Sequence, residues 1–261
     1  MRIRLCVTMI MDYSYSADAE IISMRSHQTS NQSGVLMSVD LVIKQAQKYY
    51  KDIQGDPNGR YKSWQQCYKL FSAAREESNP DYDHLTLMLA FYLASWGMYR
   101  GSSFLLQKDY AIHEPVVEEL LDKKYDPLAG IKCSDYRHKD NQELLEEINS
   151  FLKSYYNGVR ISVKGDTVKN DISDVLVTKV LMGTLACVPA YDRYFVAGVK
   201  NQKATTGQYN LRSLLGLADY YDSNTELLEA ARKEMIFDGI TYPQMKLLDM
   251  GFWQIGFDME T

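Results

Sequence analysis

The sequence predicts a mainly α-helical fold, a compact multi-helix domain carrying at most a short β-hairpin. Apolar residues recur with a 3.6-residue period in segment after segment. Two-residue alternation is confined to Gly158–Gly165, GVRISVKG, which fits either a short hairpin arm or a loop. Turn-forming clusters, QGDPNG at 54–59 and NPDYD at 79–83, separate the periodic segments.

Residues 1–36 differ from the rest. The stretch SYSADAEIISMRSHQTSNQSG is polar and poorly periodic, so 1–36 is expected to be a weakly ordered extension and Met37 the working start. Ser38 then supplies an N-cap, and Asp40 a first-turn acid, for a helix over Val39–Lys51. Ser63–Glu77 places Trp64, Cys67, Leu70, Phe71 and Ala74 on one face. Asn79–Asp83 breaks that helix and caps the next, Leu85–Tyr99. The longest apolar run lies there, Leu85–Trp96; a bilayer needs about 20 residues, so the run reads as a buried core helix and no membrane partner is expected.

Glu114–Lys124 opens with Pro115, a favoured first-turn position. Asn141–Tyr155 keeps Leu144, Leu145, Ile148, Phe151, Leu152 and Tyr155 on one stripe. Four more helices are expected over Ser173–Leu185 (capped by Ser173, ended by Pro189), Leu211–Tyr221, Thr225–Phe237 and Pro243–Ile255. No repeat of fixed period interrupts the pattern. The expected organisation is one helical domain over 37–261, with a division into two helical lobes left open near 157–172.

Composition narrows the function classes. Apolar residues make up 46% and charged residues 24%, ordinary globular values. The net charge of −5 gives no general affinity for nucleic acid but leaves room for a local basic patch. Tyrosine stands out, with 20 residues, so some of them are expected to line a groove or an interface. Cys6, Cys67, Cys133 and Cys187 are scattered and form no ligand pair. No metal site is expected, and free thiols of this kind fit a reducing cytoplasm. The N-terminus lacks the apolar core of a signal peptide. There is no GxGxxG, Walker loop, GxSxG or HExxH, and no cofactor is expected.

Chemistry concentrates in VTKVLMGTLACVPAYDRYF, Val177–Phe195. An apolar helix carries one lysine, Lys179, and after a proline comes Asp192. A carboxylate there can cap Phe195 or its neighbour. The segment that follows, read as a loop, holds Arg193, Lys200, Lys203 and Arg212 with no acidic residue between them. Lysines and arginines among small residues and amides suit phosphate contacts; a solvated surface loop explains the same composition. A second candidate is SWGMYRGSS, Ser95–Ser103. Trp96 and Tyr99 can stack a base, and Arg100, Ser102 and Ser103 can hold a phosphate or a polar base edge. The plainer reading is a helix end, with Gly101 beyond the last turn.

The order Thr-Lys on a helix, about a dozen mostly apolar residues, Val-Pro, then Asp beside a basic residue resembles the helix-hairpin-helix superfamily of DNA glycosylases. The glycine-rich hairpin of that family has no counterpart in Asn170–Leu176, and Asp-Arg-Tyr replaces its usual Asp-Thr-His or Asp-Val-His. The chain is also similar in general character to bacterial mobile-island proteins, among which antiphage glycosylases occur. The resemblance implies a DNA N-glycosylase removing a modified base from double-stranded DNA. Asp192 would be the catalytic carboxylate and Lys179 the lysine that some members use as nucleophile. Trp96, Tyr99, Arg100 and Tyr191 would form the base pocket. Ser102, Arg193, Lys200, Lys203 and Arg212 would contact the DNA backbone. The alternative is a non-catalytic helical interaction module, in which tyrosine-lined grooves bind a partner and Asp192 only caps a helix. In the first reading Asp192, Trp96 and Arg100 converge on one positively lined cleft; in the second they lie apart.

Overall fold

The structure, a computed structural model, describes residues 39–165 and 171–260. The expected extension over 1–36, the start at Met37 and the cap at Ser38 lie outside the described residues. The chain divides into two compact units, Met1–Leu41 and Val42–Thr261. Of the first, only residues 39–41 are described, and they are helical.

The fold is mainly α, as the periodicity predicts. The helices are α1 (39–55), α2 (Lys62–Ala74), α3 (Tyr82–Ser95), α4 (Glu114–Leu120), α5 (Lys139–Lys164), α6 (Asp174–Thr184), α7 (Arg193–Asn201), α8 (Leu211–Ser223), α9 (Thr225–Lys233) and α10 (Gln244–Glu260). Short 3-10 turns at Phe104–Gln107, Tyr110–His113, Lys123–Leu128 and Cys133–Arg137 link α3 to α5. Among the described residues no helix is long and apolar enough to cross a membrane.

Four elements depart from the sequence reading. Gly158–Gly165 is neither hairpin nor loop: 158–164 are the last turns of α5, where Val159 is buried and Gly165, at φ 75°, stops the helix. The alternation seen there is too short to compete with a helix already propagating. Arg193–Asn201 is a helix, because Asp192 provides the cap that starts one. The helix expected over Thr225–Phe237 ends at Lys233, and a two-stranded antiparallel hairpin follows, Ile236–Phe237 against Ile240–Thr241. Asp238 and Gly239 both have positive φ, the conformation of a type I′ turn, for which Asp-Gly is a preferred pair. Finally, α3 is buried on one side only. Leu85, Leu89, Tyr92 and Leu93 face α2, α4 and α6, whereas Leu87 and Phe91 are about half exposed.

The core is organised on α10, which is buried without interruption from Met245 to Gly256. A helix buried all round needs neighbours on every side. α7 lies so close to it that a Cβ on Gly198 would run into the Phe252 carbonyl, and one on Gly256 into the Tyr194 carbonyl. The two glycines face opposite partners, so the approach is reciprocal. On α10, Gly251 meets Val42 of α1, where an added Cβ would come within 2.6 Å of the valine side chain. On α6, Gly183 gives the same room to the Tyr92 ring of α3.

This packing makes Gly198 a sensitive position. Gly198→Ala is expected to force α7 off α10 at a cost of about 3 kcal/mol, lowering the thermal midpoint by roughly 6–12 °C for a domain of this size. Gly216→Ala, where an added Cβ meets nothing nearer than 3.7 Å, is the control. Differential scanning calorimetry of the two variants tests the contact; equal midpoints would show that the helices are not in this register.

Candidate functional site

The α6–α7 turn delivers the central carboxylate. α6 is apolar and buried almost all round. It ends at Thr184, ahead of Pro189, through Ala186 in a left-handed conformation (φ 50°) whose N–H bonds the Leu181 carbonyl. Glycine is the usual residue there, and alanine pays no more than about 1–2 kcal/mol for it. The turn is pinned from two sides. The Tyr191 N–H donates to Thr178 Oγ1 of α6 at 3.1 Å, and the Ala190 N–H donates to Asp249 Oδ1 of α10 at 2.9 Å. Asp192 then caps α7: its Oδ1 accepts from the Tyr194 and Phe195 N–H groups, as the capping reading expects.

The other carboxylate oxygen faces inward. Asp192 Oδ2 accepts from Lys179 Nζ at 3.0 Å and from Trp253 Nε1 at 3.3 Å. Lys179 is 3% exposed and Asp192 16%. Beside this pair lies a second one that sequence reading missed. Lys246 Nζ donates to Asp249 Oδ2 at 2.7 Å, and both side chains are buried. The two lysines and two aspartates line one small cavity, walled by Tyr92, Trp96, Met182 and Trp253. Its volume is ≈ 10 Å³, at the lower edge of what one water needs, about 10–15 Å³.

Aromatic rings surround the two ammonium groups. Lys179 Nζ stands 4.8 Å from the Trp96 ring centre; Lys246 Nζ stands 4.8 Å from Trp64 and 5.3 Å from Tyr49. Such contacts favour the ammonium form where water is scarce. Burial nevertheless pushes the Lys246 amine down from its ordinary value, opposed by the Asp249 carboxylate. Burial, and then the Asp249 charge, pushes the Tyr49 phenol up, so it stays a neutral hydroxyl. Trp96 and Tyr61 are half-buried, their ring centres 5.2 Å apart, and the half-buried Tyr194 packs edge-on against Trp253.

The structure thus brings together Asp192, Lys179 and Trp96 from the sequence-predicted set. Tyr99 and Arg100 do not line the cavity. The helix α3 ends at Ser95, and the left-handed glycine beyond its last turn is Gly97 (φ 78°), not Gly101. Tyr99 donates or accepts at His113 Nε2, 2.7 Å away, while Arg100 is exposed and folds back towards Gly97. Tyr191 is buried with its hydroxyl on Ser213, 2.9 Å away, and also does not line the cavity. Ser102 is exposed on the turn after Gly101.

The basic residues of 193–212 separate into two groups. Lys200, Lys203 and Arg212 line one open cleft of ≈ 490 Å³ together with Thr205 and Thr206. Arg193 is elsewhere: it lies over the Tyr194 ring and 3.5 Å from Glu260. Lys200 is near the far end of the helix that Asp192 caps, roughly 12 Å along its axis.

His113 accounts for the fate of Tyr99. Fully buried, it bridges Tyr99 and Tyr156, whose hydroxyl lies 2.6 Å from Nδ1. Burial pushes the imidazole down to about 4. The unfolded chain therefore takes up a proton near pH 6.5, before the folded one does. The group costs nothing above that pH and destabilises progressively as pH falls towards 4, by about 3 kcal/mol in full. His113→Gln, which can still bond both tyrosines, should lose correspondingly less stability between pH 6.5 and 4 in urea titrations. Identical slopes in parent and variant would contradict this.

No family model, curated protein or solved structure matches the chain, so the functional reading rests on the geometry of this site.

Proposed function

We propose that the protein is a DNA N-glycosylase that removes a modified base from double-stranded DNA in the bacterial cytoplasm, as a defence against phage. The observation that carries this reading is the meeting of Asp192 and Lys179 at 3.0 Å in an aromatic-walled cavity. Loss of a base leaves positive charge on the sugar, and a desolvated carboxylate meets that charge better than water can. Asp192 can also accept a proton from Lys179, leaving a neutral amine beside the sugar carbon. The indole N–H of Trp253 keeps the carboxylate oriented.

The base would enter between Trp96 and Tyr61, which must part, because the cavity as it stands holds no more than a water. Trp96 supplies the stacking face. Lys200, Lys203 and Arg212 would hold the backbone, with phosphates bridging their cleft. The alternative reading, a non-catalytic interaction module, is favoured by the exposed Leu87 and Phe91 on α3. It leaves unexplained why two ion pairs are kept out of water beside one cavity.

Asp192→Asn is the decisive variant. It keeps the cap but opposes an amide to Lys179, so a stability loss of about 3 kcal/mol is expected. Lys179→Met/Asp192→Asn removes the mismatch and should recover most of that loss. Modified and unmodified phage DNAs are incubated with each protein below its midpoint, and abasic sites are counted with an aldehyde-reactive probe. Both variants should excise at least ~10²-fold more slowly than the parent. Full excision by either would end the assignment of Asp192. Separately, Lys200→Glu/Lys203→Glu should lower the slope of log K for DNA against log salt by roughly one unit per lost contact; an unchanged slope would place the DNA surface elsewhere.

A further inference from the structure

If Lys179 and Asp192 face the sugar, the rest of the cavity is left to meet the base, and its hydrogen-bonding groups are unbalanced. Most of the carboxylate lone pairs are taken, all of those on Asp192 and one on each oxygen of Asp249. Asp192 Oδ1 serves two backbone N–H groups of α7, and Oδ2 serves Lys179 and Trp253. Asp249 Oδ1 serves the Ala190 N–H and Oδ2 serves Lys246. The donors are in surplus. Lys246 has three N–H groups and donates one, to Asp249. Trp96 Nε1 and Tyr49 OH are buried with no hydrogen-bond partner among the described residues. The three side chains are neighbours: Lys246 Nζ is 5.8 Å from the Trp96 ring centre and 5.3 Å from that of Tyr49, with Lys246 and Trp96 lining the cavity and Tyr49 outside its lining.

Unpartnered buried donors are rare and cost about 1–3 kcal/mol each. Here two of them flank a buried cation in one small region. We propose that Lys246, Trp96 and Tyr49 form the recognition end of the site and select a heterocycle that turns keto oxygens or unprotonated ring nitrogens towards them. This deepens the excision reading and rests on it for the kind of molecule that enters. A keto oxygen would satisfy the ammonium and the indole together. An exocyclic amino group would set a further donor against a buried cation with which it cannot hydrogen-bond, which is how polar sites reject near-isosteres.

The chain has three tryptophans, and all of them stand at this site: Trp64 and Trp96 around Lys246, and Trp253 on Asp192. Their emission, excited beyond nucleobase absorption, reports the cavity directly. Titration with free uracil or xanthine should give a saturable change, with adenine and cytosine binding at least ~10-fold more weakly, a difference of about 1.4 kcal/mol. Tyr49→Phe and Trp96→Phe should narrow that difference. Because the Tyr49 hydroxyl has no partner among the described residues, Tyr49→Phe should melt no lower than the parent. Equal responses to all four bases, or none, would overturn the proposal. So would a Tyr49→Phe variant that melts several degrees lower with its preference intact. The two readings fail separately: selective base binding without abasic sites in any DNA would remove the excision activity and leave keto recognition standing. Excision by a protein indifferent to the four bases would do the reverse.

Discussion

Two lysines and two aspartates removed from water together are the constraint around which the described core is built. A single buried charge would cost several kcal/mol, and only close pairing with full hydrogen bonding makes four tolerable. Lys179 comes from α6, Asp192 from the turn before α7, and Lys246 and Asp249 from successive turns of α10. The three segments must therefore be held close enough for the 3.0 Å contact of Lys179 with Asp192 and the 2.9 Å bond of the Ala190 N–H to Asp249. The glycines of α7 and α10 make this possible. Without Gly198 and Gly256 the helix capped by Asp192 could not lie against the helix that carries Trp253 and Asp249.

Asp192 serves the fold and the site at once. One oxygen starts a helix, and the other neutralises a buried ammonium. The first role could be filled by asparagine, serine or threonine. The second needs a negative charge, which makes the aspartate specific. Asp249 plays a supporting part: by accepting from the Ala190 N–H it fixes the turn that presents Asp192, and Lys246 balances its charge. Removing any one member leaves a buried charge unpaired, so the four should behave as a coupled unit under mutation.

The division of labour along α7 is equally physical. Its N-terminal end, where backbone N–H groups gather, holds the carboxylate and points into the core. Its C-terminal end carries Lys200, favourably placed on the helix dipole, into an open basic cleft. A protein of net charge −5 thus carries a cationic surface about 12 Å along the helix axis from the half-buried acid that caps it.

Much of the fold was legible locally. Apolar periodicity located nine of the helices, and capping rules offered Asp192 as a cap for Phe195 or its neighbour, although the helix it starts was read as a loop. The Asp238–Gly239 hairpin was legible too, had the dipeptide been weighed against the helical pattern before it. The pairing of Lys179 with Asp192 was suggested only by a family-like order of residues. Lys246 and Asp249 were hidden, because an i, i+3 pair on an apolar helix looks the same whether it faces water or the core. Which face of α3 is covered, that Tyr99 turns to His113, and that Lys200, Lys203 and Arg212 share a cleft without Arg193 were likewise decided by tertiary structure. The sequence by itself determined which segments coil and where they start, since those choices are made by backbone hydrogen bonds a few residues apart. Only the packing of α6, α7 and α10 decided which charges lose their water and meet, because desolvation depends on neighbours that are distant in the chain.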